Sequence, residues 1–442
     1  MDGRRGERAR SERARSERSR SERVNRMSGA AFELSPSMRA APEASGRGGA
    51  PRPRSIVLAG GGTGGHISPG LAIAERIGAA DPSARVVFAC STREVDANML
   101  REAAARFIPI RAEPLSLNPR RLLRCLLGLV RARRDADRLL RECRPDWVVS
   151  LGGYVTPPVV AAARRAGVPV LLVNLDATPG KANRLVARRA TKVVSAVPVP
   201  SMPRFASAVI GMPLRRIAMA PASTELCRAE LGLDLHAPVL LITGASQGAQ
   251  SLNDLACELA RSHSAAFADW QVLHLCGPSP AGGVTRYERA WREAGIRAAV
   301  IPFLHRMGVA WGAAELAVSR AGASSVAEAQ CNQVPTIFAP YPYHKDQHQR
   351  ENALPLVEAG GALVETDQID PQQNLAGLGA RILELMAAPD RRAQMRRVLA
   401  ALPPPSSAEQ IADFVLRGSE FRGSVPDRGN PRRAMLASWT LS

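Results

Sequence analysis

Residues Ser55–Glu75, SIVLAGGGTGGHISPGLAIAE, constrain this chain more than any other segment. The apolar run Ile56–Ala59 enters six residues of which five are glycine, and helix-forming residues follow. That order predicts a buried parallel strand, a tight turn and a helix start. Glycine serves where the backbone needs positive φ or must approach a ligand closely. The free N–H groups of the following helix start favour an anion, most often a phosphate. His66 stands where a bound phosphate ester would present its reacting end, so the loop reads as an anion cradle with a base built into it.

From Ser55 onward, apolar runs alternate with helical patterns. Strands are predicted at 55–59, 85–90, 146–151, 168–173, 192–196 and 207–210, then at 238–243, 271–275, 298–302, 315–319, 335–339 and 362–365. Continuous Val/Ile/Leu runs separated by helices indicate parallel sheets covered on both faces. Each series opens with a strand running into a Gly-rich loop. The expected fold class is therefore α/β, two tandem Rossmann-like doubly wound domains. A ligand shared by both belongs in the cleft outside the carboxyl ends of the strands. The expected division is a disordered basic extension over 1–54, a first domain over 55–211 and a second over 212–403. A helix over 404–418, free to cross elsewhere, and a tail over 419–442 complete it.

The 442 residues carry a net charge of +19, but residues 1–54 hold 14 arginines against 7 acids and repeat RSERx three times. Such a segment lacks the apolar residues for a core, and Met27 is a plausible alternative start. The seven cysteines include no C-x-x-C pair, which speaks against a disulfide framework or zinc site. No stretch approaches the ~20 apolar residues of a membrane-spanning helix. A non-catalytic nucleic-acid binder would use the positive charge, but the aromatics that stack on bases are scarce, at 4%. No nucleic-acid partner is expected.

Further loops add to the first. Gly60-x-Gly62-x-x-Gly65 satisfies the dinucleotide fingerprint formally, but strand 85–90 ends in Cys90-Ser91-Thr92-Arg93 without the ribose-binding acid that fingerprint needs. Gly152-Gly153-Tyr154 follows the strand 146–151, either as a plain tight turn or as a second anion-accepting loop. Gly244-Ala245-Ser246-Gln247-Gly248 follows the first strand of the second series. Ser325-x-x-Glu328 reads as a capping box, or else Glu328 accepts hydrogen bonds from ribose hydroxyls. The histidines of His344-Lys345-Asp346-Gln347-His348 form no recognised metal pattern, and Asp135-x-Asp137 sits inside an Arg/Leu helix over 119–143. No metal and no cofactor are called for. That helix gathers Leu122, Leu123, Leu126, Leu127 and Val130 on one broad face, either core or an apolar patch ringed by arginines that attract anionic lipid.

With GGTGGHISPGLAIAE, LGGYVTPP, PGKANR, GMPLR, GASQGAQSLN, SRAGASSVAEA and DQHQRENA in this order, the chain resembles the bacterial MurG family over residues 55 to about 417. The resemblance implies the glycosyltransferase-B architecture and inverting transfer of N-acetylglucosamine from its UDP ester to a muramyl sugar on undecaprenyl diphosphate. The alternative is a related UDP-sugar transferase with another lipid acceptor, such as diacylglycerol. It further implies a peripheral protein at the cytoplasmic face of the inner membrane, held to an anionic surface.

By motif, His66 is the implied base, and Thr63, Gly64 and Gly65 approach the diphosphates. Arg215 faces the donor diphosphate, Ser246 and Leu304 belong to the donor site, and Gly152, Gly153 and Tyr154 to the acceptor diphosphate. Ala323, Ser324, Ser325, Val326, Ala327 and Glu328 form the nucleotide-binding turn. Gln349, and less firmly Asn352, hold sugar hydroxyls. Three departures stand out. Asn174-Leu175-Asp176 replaces Glu-Gln-Asn, placing Asp176 at a donor-site position. Leu304-His305-Arg306-Met307 replaces Ile-Asp-Asp-Met, and the serine loop begins Gly-Ala rather than Gly-Gly.

Overall fold

The computed structural model describes residues 52–62, 65–113, 119–245, 248–342, 348–404 and 406–422, except for the side chains of 119–127 and 348. Thr63, Gly64 and Ser246 therefore lie outside the described residues, as do residues 1–51 and 423–442.

Two six-stranded parallel sheets carry the fold. The first contains β1 (Ser55–Gly60), β2 (Arg85–Cys90), β3 (Phe107–Pro109), β4 (Trp147–Gly152), β5 (Val170–Asn174) and β6 (Lys192–Ser195). Its spatial order is β3-β2-β1-β4-β5-β6. The second contains β7 (Val239–Thr243), β8 (Gln271–Leu275), β9 (Ala298–Ile301), β10 (Leu316–Ser319), β11 (Thr336–Phe338) and β12 (Ala362–Val364). Its order, β12-β11-β10-β7-β8-β9, is the same pattern. In both, the strand order reverses between the first and fourth strands, and that reversal opens a crevice at their carboxyl ends. The crevices fall at β1/β4 and at β7/β10, where the predicted loops are.

The strand interiors are mostly apolar because both faces are covered. Successive residues point to opposite faces, and the core divides accordingly. Ile56 and Leu58 pack in one layer with Phe88, Leu71 and Ile73, whereas Val57 and Ala59 pack in the other with Ala136, Leu139 and Val159. The same alternation sends Leu240 and Ile242 to one side of the second sheet and Val239 and Leu241 to the other.

Two strands differ from expectation. The three-residue edge strand Phe107–Pro109 was not anticipated. The predicted strand 207–210 runs along β6 and shares three backbone hydrogen bonds with Val193 and Ser195, yet it amounts to a single parallel bridge, Ser195 to Val209, rather than a full strand.

After Pro403 and Pro404, the helix Ser407–Arg417 leaves the second domain and packs on the helix Ile67–Ala80 of the first. Its Ile411, Phe414 and Val415 join the first domain's core, and the Phe414 ring meets Trp147 at 4.9 Å. Glu409 pairs with Arg76 at the same seam.

Candidate active site

The loops after β1 and β4 are pressed together. Gly60 pairs with Gly152 after a register shift at Ala59/Gly60. Gly153 has φ +87°, and a Cβ there would overlap the Gly61 carbonyl oxygen. The Tyr154 ring lies against Gly62, where a Cβ would come within 2.7 Å of it. Close backbone approach is thus the reason for glycine at these positions.

One short segment after β2 locks this loop, through Arg93 and through Asp96, which is not among the predicted site residues. Asp96, fully buried, accepts from the Gly62 N–H at 2.7 Å and from the Ser91 hydroxyl at 2.6 Å through the same oxygen. Arg93 donates to the Gly62 carbonyl at 2.6 Å, and its guanidinium lies 5.9 Å from the Tyr154 ring centroid. Both polar groups of the Gly62 backbone are held by residues only three positions apart. The expected acid after β2 is absent at the strand end, but an acid one helical turn later grips the loop instead.

His66 stands immediately before the helix Ile67–Ala80. A Cβ on Gly152 would be 3.0 Å from its Nε2, so the imidazole lies across the second glycine loop. Part of His66 meets solvent, yet the surrounding protein withdraws it from water and holds its pKa below the ordinary 6.5; Asp176 and Asp96 act in the opposite direction. The imidazole is neutral at pH 7, as a general base requires.

Gly65, next to His66, is exposed at the end of the first loop. The predicted nucleotide-binding turn lies at the second crevice. Ala323, Ser324, Ser325, Val326, Ala327 and Glu328 form the opening turns of the helix Ala323–Cys331 after β10. The capping-box reading fails, for the cap residue is Gly322 and no side chain caps the helix. The Glu328 carboxylate instead accepts from the Trp311 indole at 2.9 Å. Withdrawal from water pushes the Glu328 pKa up to about 7, with the indole bond acting against it. Ala323 and Ala327 also touch the first domain's core, which brings this turn to the cleft between the domains.

Arg215 donates to Glu75 at 2.8 Å, and Glu75 also accepts from the Arg216 backbone at 3.0 Å, tying the interdomain link to the helix Ile67–Ala80. Gln349 accepts from the Tyr341 N–H at 2.8 Å. Asn352, buried, accepts from Ala177 N–H at 3.2 Å and so bridges the two domains. Leu304 is half-buried against the core behind β7. Next to it, His305 reaches Glu102 of the first domain at 3.5 Å, and Arg306 pairs with Glu230 at 2.7 Å. The residues that replace the two acids of this segment thus have acidic partners of their own. Ala245, where the family has glycine, adopts φ +59°, a left-handed conformation that costs a non-glycine residue ~1–2 kcal/mol.

Among the described residues, no group of three His, Cys, Asp or Glu side chains could hold a metal ion. Asp135 and Asp137 each pair with an arginine, Arg111 and Arg165, at 2.6 Å.

Residues 56–195 match the glycosyltransferase family 28 N-terminal domain, and residues 239–411 match its C-terminal domain. A relative from Frankia casuarinae is 33% identical over 86% of this chain and 99% of its own length. One from Mycolicibacterium vanbaalenii is 36% identical over 82% of this chain and 89% of its own. Both are named UDP-N-acetylglucosamine–N-acetylmuramyl-(pentapeptide) pyrophosphoryl-undecaprenol N-acetylglucosamine transferase. The crystal structure of Acinetobacter baumannii MurG has the same fold, with a TM-score of 0.64, 24% identity, and coverage of 82% of this chain and 99% of that one. With two glycosyltransferase family 28 domains and these relatives matched over nearly their whole length, the chain belongs to the MurG family of glycosyltransferases.

Proposed function

We propose that this protein transfers N-acetylglucosamine from UDP-N-acetylglucosamine to the muramyl sugar of a polyprenyl-diphosphate-linked peptide, a step of peptidoglycan synthesis. The observation that carries this reading is the pairing of two crevices. One has interlocked glycine loops around a neutral imidazole, and the other a helix start with a recessed carboxylate. In this reading the acceptor hydroxyl attacks the anomeric carbon while the C–O bond to UDP breaks, and His66 takes the hydroxyl proton as bonding develops. One displacement inverts the anomeric centre. The negative charge that grows on the leaving diphosphate is met by backbone N–H groups at the helix start. Arg215 contributes as a side chain already oriented and partly neutralised by Glu75.

Glu328 is read as the acceptor of ribose hydrogen bonds. Its pKa of about 7 means that the charged, stronger acceptor is lost as pH falls through neutrality. UDP affinity by calorimetry should therefore weaken about tenfold from pH 8 to pH 6, with up to one proton released per UDP bound at the acid end. Glu328→Gln should flatten that slope beyond what UDP's own phosphate ionisation contributes. UDP should also bind more tightly than ADP or GDP; equal affinity for all three, or an unchanged slope in Glu328→Gln, contradicts the donor assignment.

We also propose that the protein sits peripherally on the cytoplasmic face of the membrane that holds its acceptor. No helix among the described residues is long and apolar enough to cross a membrane. In the helix Pro119–Cys143, Ala132, Ala136, Leu139 and Leu140 are core, while Leu129 and Val130 are 60% and 50% exposed. The side chains of Leu122, Leu123, Leu126 and Leu127 lie outside the described residues. Each basic residue near an anionic surface contributes ~1 kcal/mol, a term that salt weakens. Replacing Arg121, Arg124 and Arg131 with Gln should lower binding to anionic vesicles at low salt. The comparison belongs on a chain trimmed to about residues 50–420, because the terminal arginines also attract anions. If that trimmed protein ignores such vesicles before substitution, the helix has no membrane role.

A further inference from the structure

Beside His66 a chain of hydrogen bonds ends in an acceptor that has no donor among the described residues. It begins at Ser195, the last residue of β6, whose hydroxyl donates to the Val197 carbonyl at 2.6 Å. A carbonyl only accepts, so the Ser195 oxygen turns its lone pairs to the Asn174 amide nitrogen, 2.9 Å away. That nitrogen also donates to the Asp176 carbonyl at 2.7 Å, which spends both of its hydrogens. The Asn174 oxygen then accepts from the amide nitrogen of Asn183 at 3.0 Å. Two backbone carbonyls thereby set the direction of the whole chain. The orientation of the Asn183 amide follows, with nitrogen toward Asn174 and oxygen away from it.

Asn183 is 7% exposed, and its Oδ1 is buried without a hydrogen-bond partner among the described residues. Burying a carbonyl unpaired is costly, which argues for a donor that arrives from elsewhere. A Cβ on Gly152 would stand 3.0 Å from this oxygen and 3.0 Å from His66 Nε2. Both atoms therefore abut the same small space above a residue that has no side chain and a φ of +108°.

We propose that Asn183 binds the acceptor sugar, its Oδ1 taking a hydrogen bond from an N–H or O–H neighbouring the hydroxyl that reacts. The reacting hydroxyl has one proton, which goes to the base, so a second donor of the same sugar is the group that fills Oδ1. Asn183 lies at the β1/β4 crevice of the first domain, whereas the donor motifs lie on the second. The proposal rests on the transfer reading above and adds to it which residue orients the acceptor.

The test uses the full-length protein and a short-chain prenyl-diphosphate N-acetylmuramyl pentapeptide carrying a fluorophore. Asn183→Ala should weaken equilibrium binding of this probe, measured without donor, and lower acceptor kcat/KM, each by about 3–10-fold, the loss of one neutral hydrogen bond. UDP affinity, Tm and the acid limb of the pH–rate profile should stay as in the wild type. Ser195→Ala, which only loosens the orientation of Asn174, should give the same signature at smaller size, and it decides alone if Asn183→Ala does not fold. Unchanged probe binding overturns the proposal and leaves the oxygen to a structural water. A shifted acid limb overturns it as well, because Asn183 would then act through His66. If the wild type binds the probe but transfers no sugar, the transfer reading fails while the binding comparison still judges Asn183.

Discussion

His66→Ala should lower turnover by ~10²–10⁴, the usual contribution of a positioned general base, while UDP affinity stays within a factor of about two. The imidazole lies on the first domain across Gly152. Its pKa is held below 6.5 because the surrounding protein withdraws it from water. With donor held saturating, the wild-type rate should accordingly fall along an acid limb whose midpoint lies below 6.5. In His66→Ala that acid limb should vanish from the profile. Unchanged turnover with a collapse of nucleotide affinity would make His66 a binding residue instead.

Gly153→Ala should be nearly as damaging, although it removes no functional group. With φ +87° and the Gly61 carbonyl oxygen against the Cβ position, the added methyl must push the two glycine loops apart. A displacement near 1 Å at reacting groups costs about 10² in rate, and we expect a loss of that order. Gly167→Ala is the control, since that residue has a similar φ of +71° and nothing within 4 Å of its Cβ position. It carries the conformational strain without the collision, so it should lose stability and keep turnover. Equal turnover in the two variants would mean that the loops tolerate separation.

These two residues also mark what was legible in the sequence. Glycine runs after apolar strands announced the loops, because glycine is costly where nothing demands it. Strands buried on both faces wrote themselves as unbroken Val/Ile/Leu. Phe107–Pro109 escaped notice because three residues with a proline carry no such run, and 207–210 was read as a strand on apolar content alone. The partners of the site residues were hidden for a different reason. Asp96 reaches Gly62 across 34 positions, and Trp311 reaches Glu328 across 17. Only the folded arrangement of strands and helices brings such pairs together. Ser325-x-x-Glu328 shows the limit most clearly, because its spacing fits a capping box and the carboxylate went to a tryptophan from the preceding helix.

The group transferred and the group that receives it define the reaction. Purified protein incubated with UDP-N-acetylglucosamine and a short-chain prenyl-diphosphate N-acetylmuramyl pentapeptide should release UDP. It should also yield an acceptor heavier by one N-acetylhexosamine, joined with inverted anomeric configuration. Diacylglycerol in place of that acceptor should give no product. Transfer to diacylglycerol with the muramyl acceptor left unmodified, or a product that retains the donor's anomeric configuration, would contradict the account.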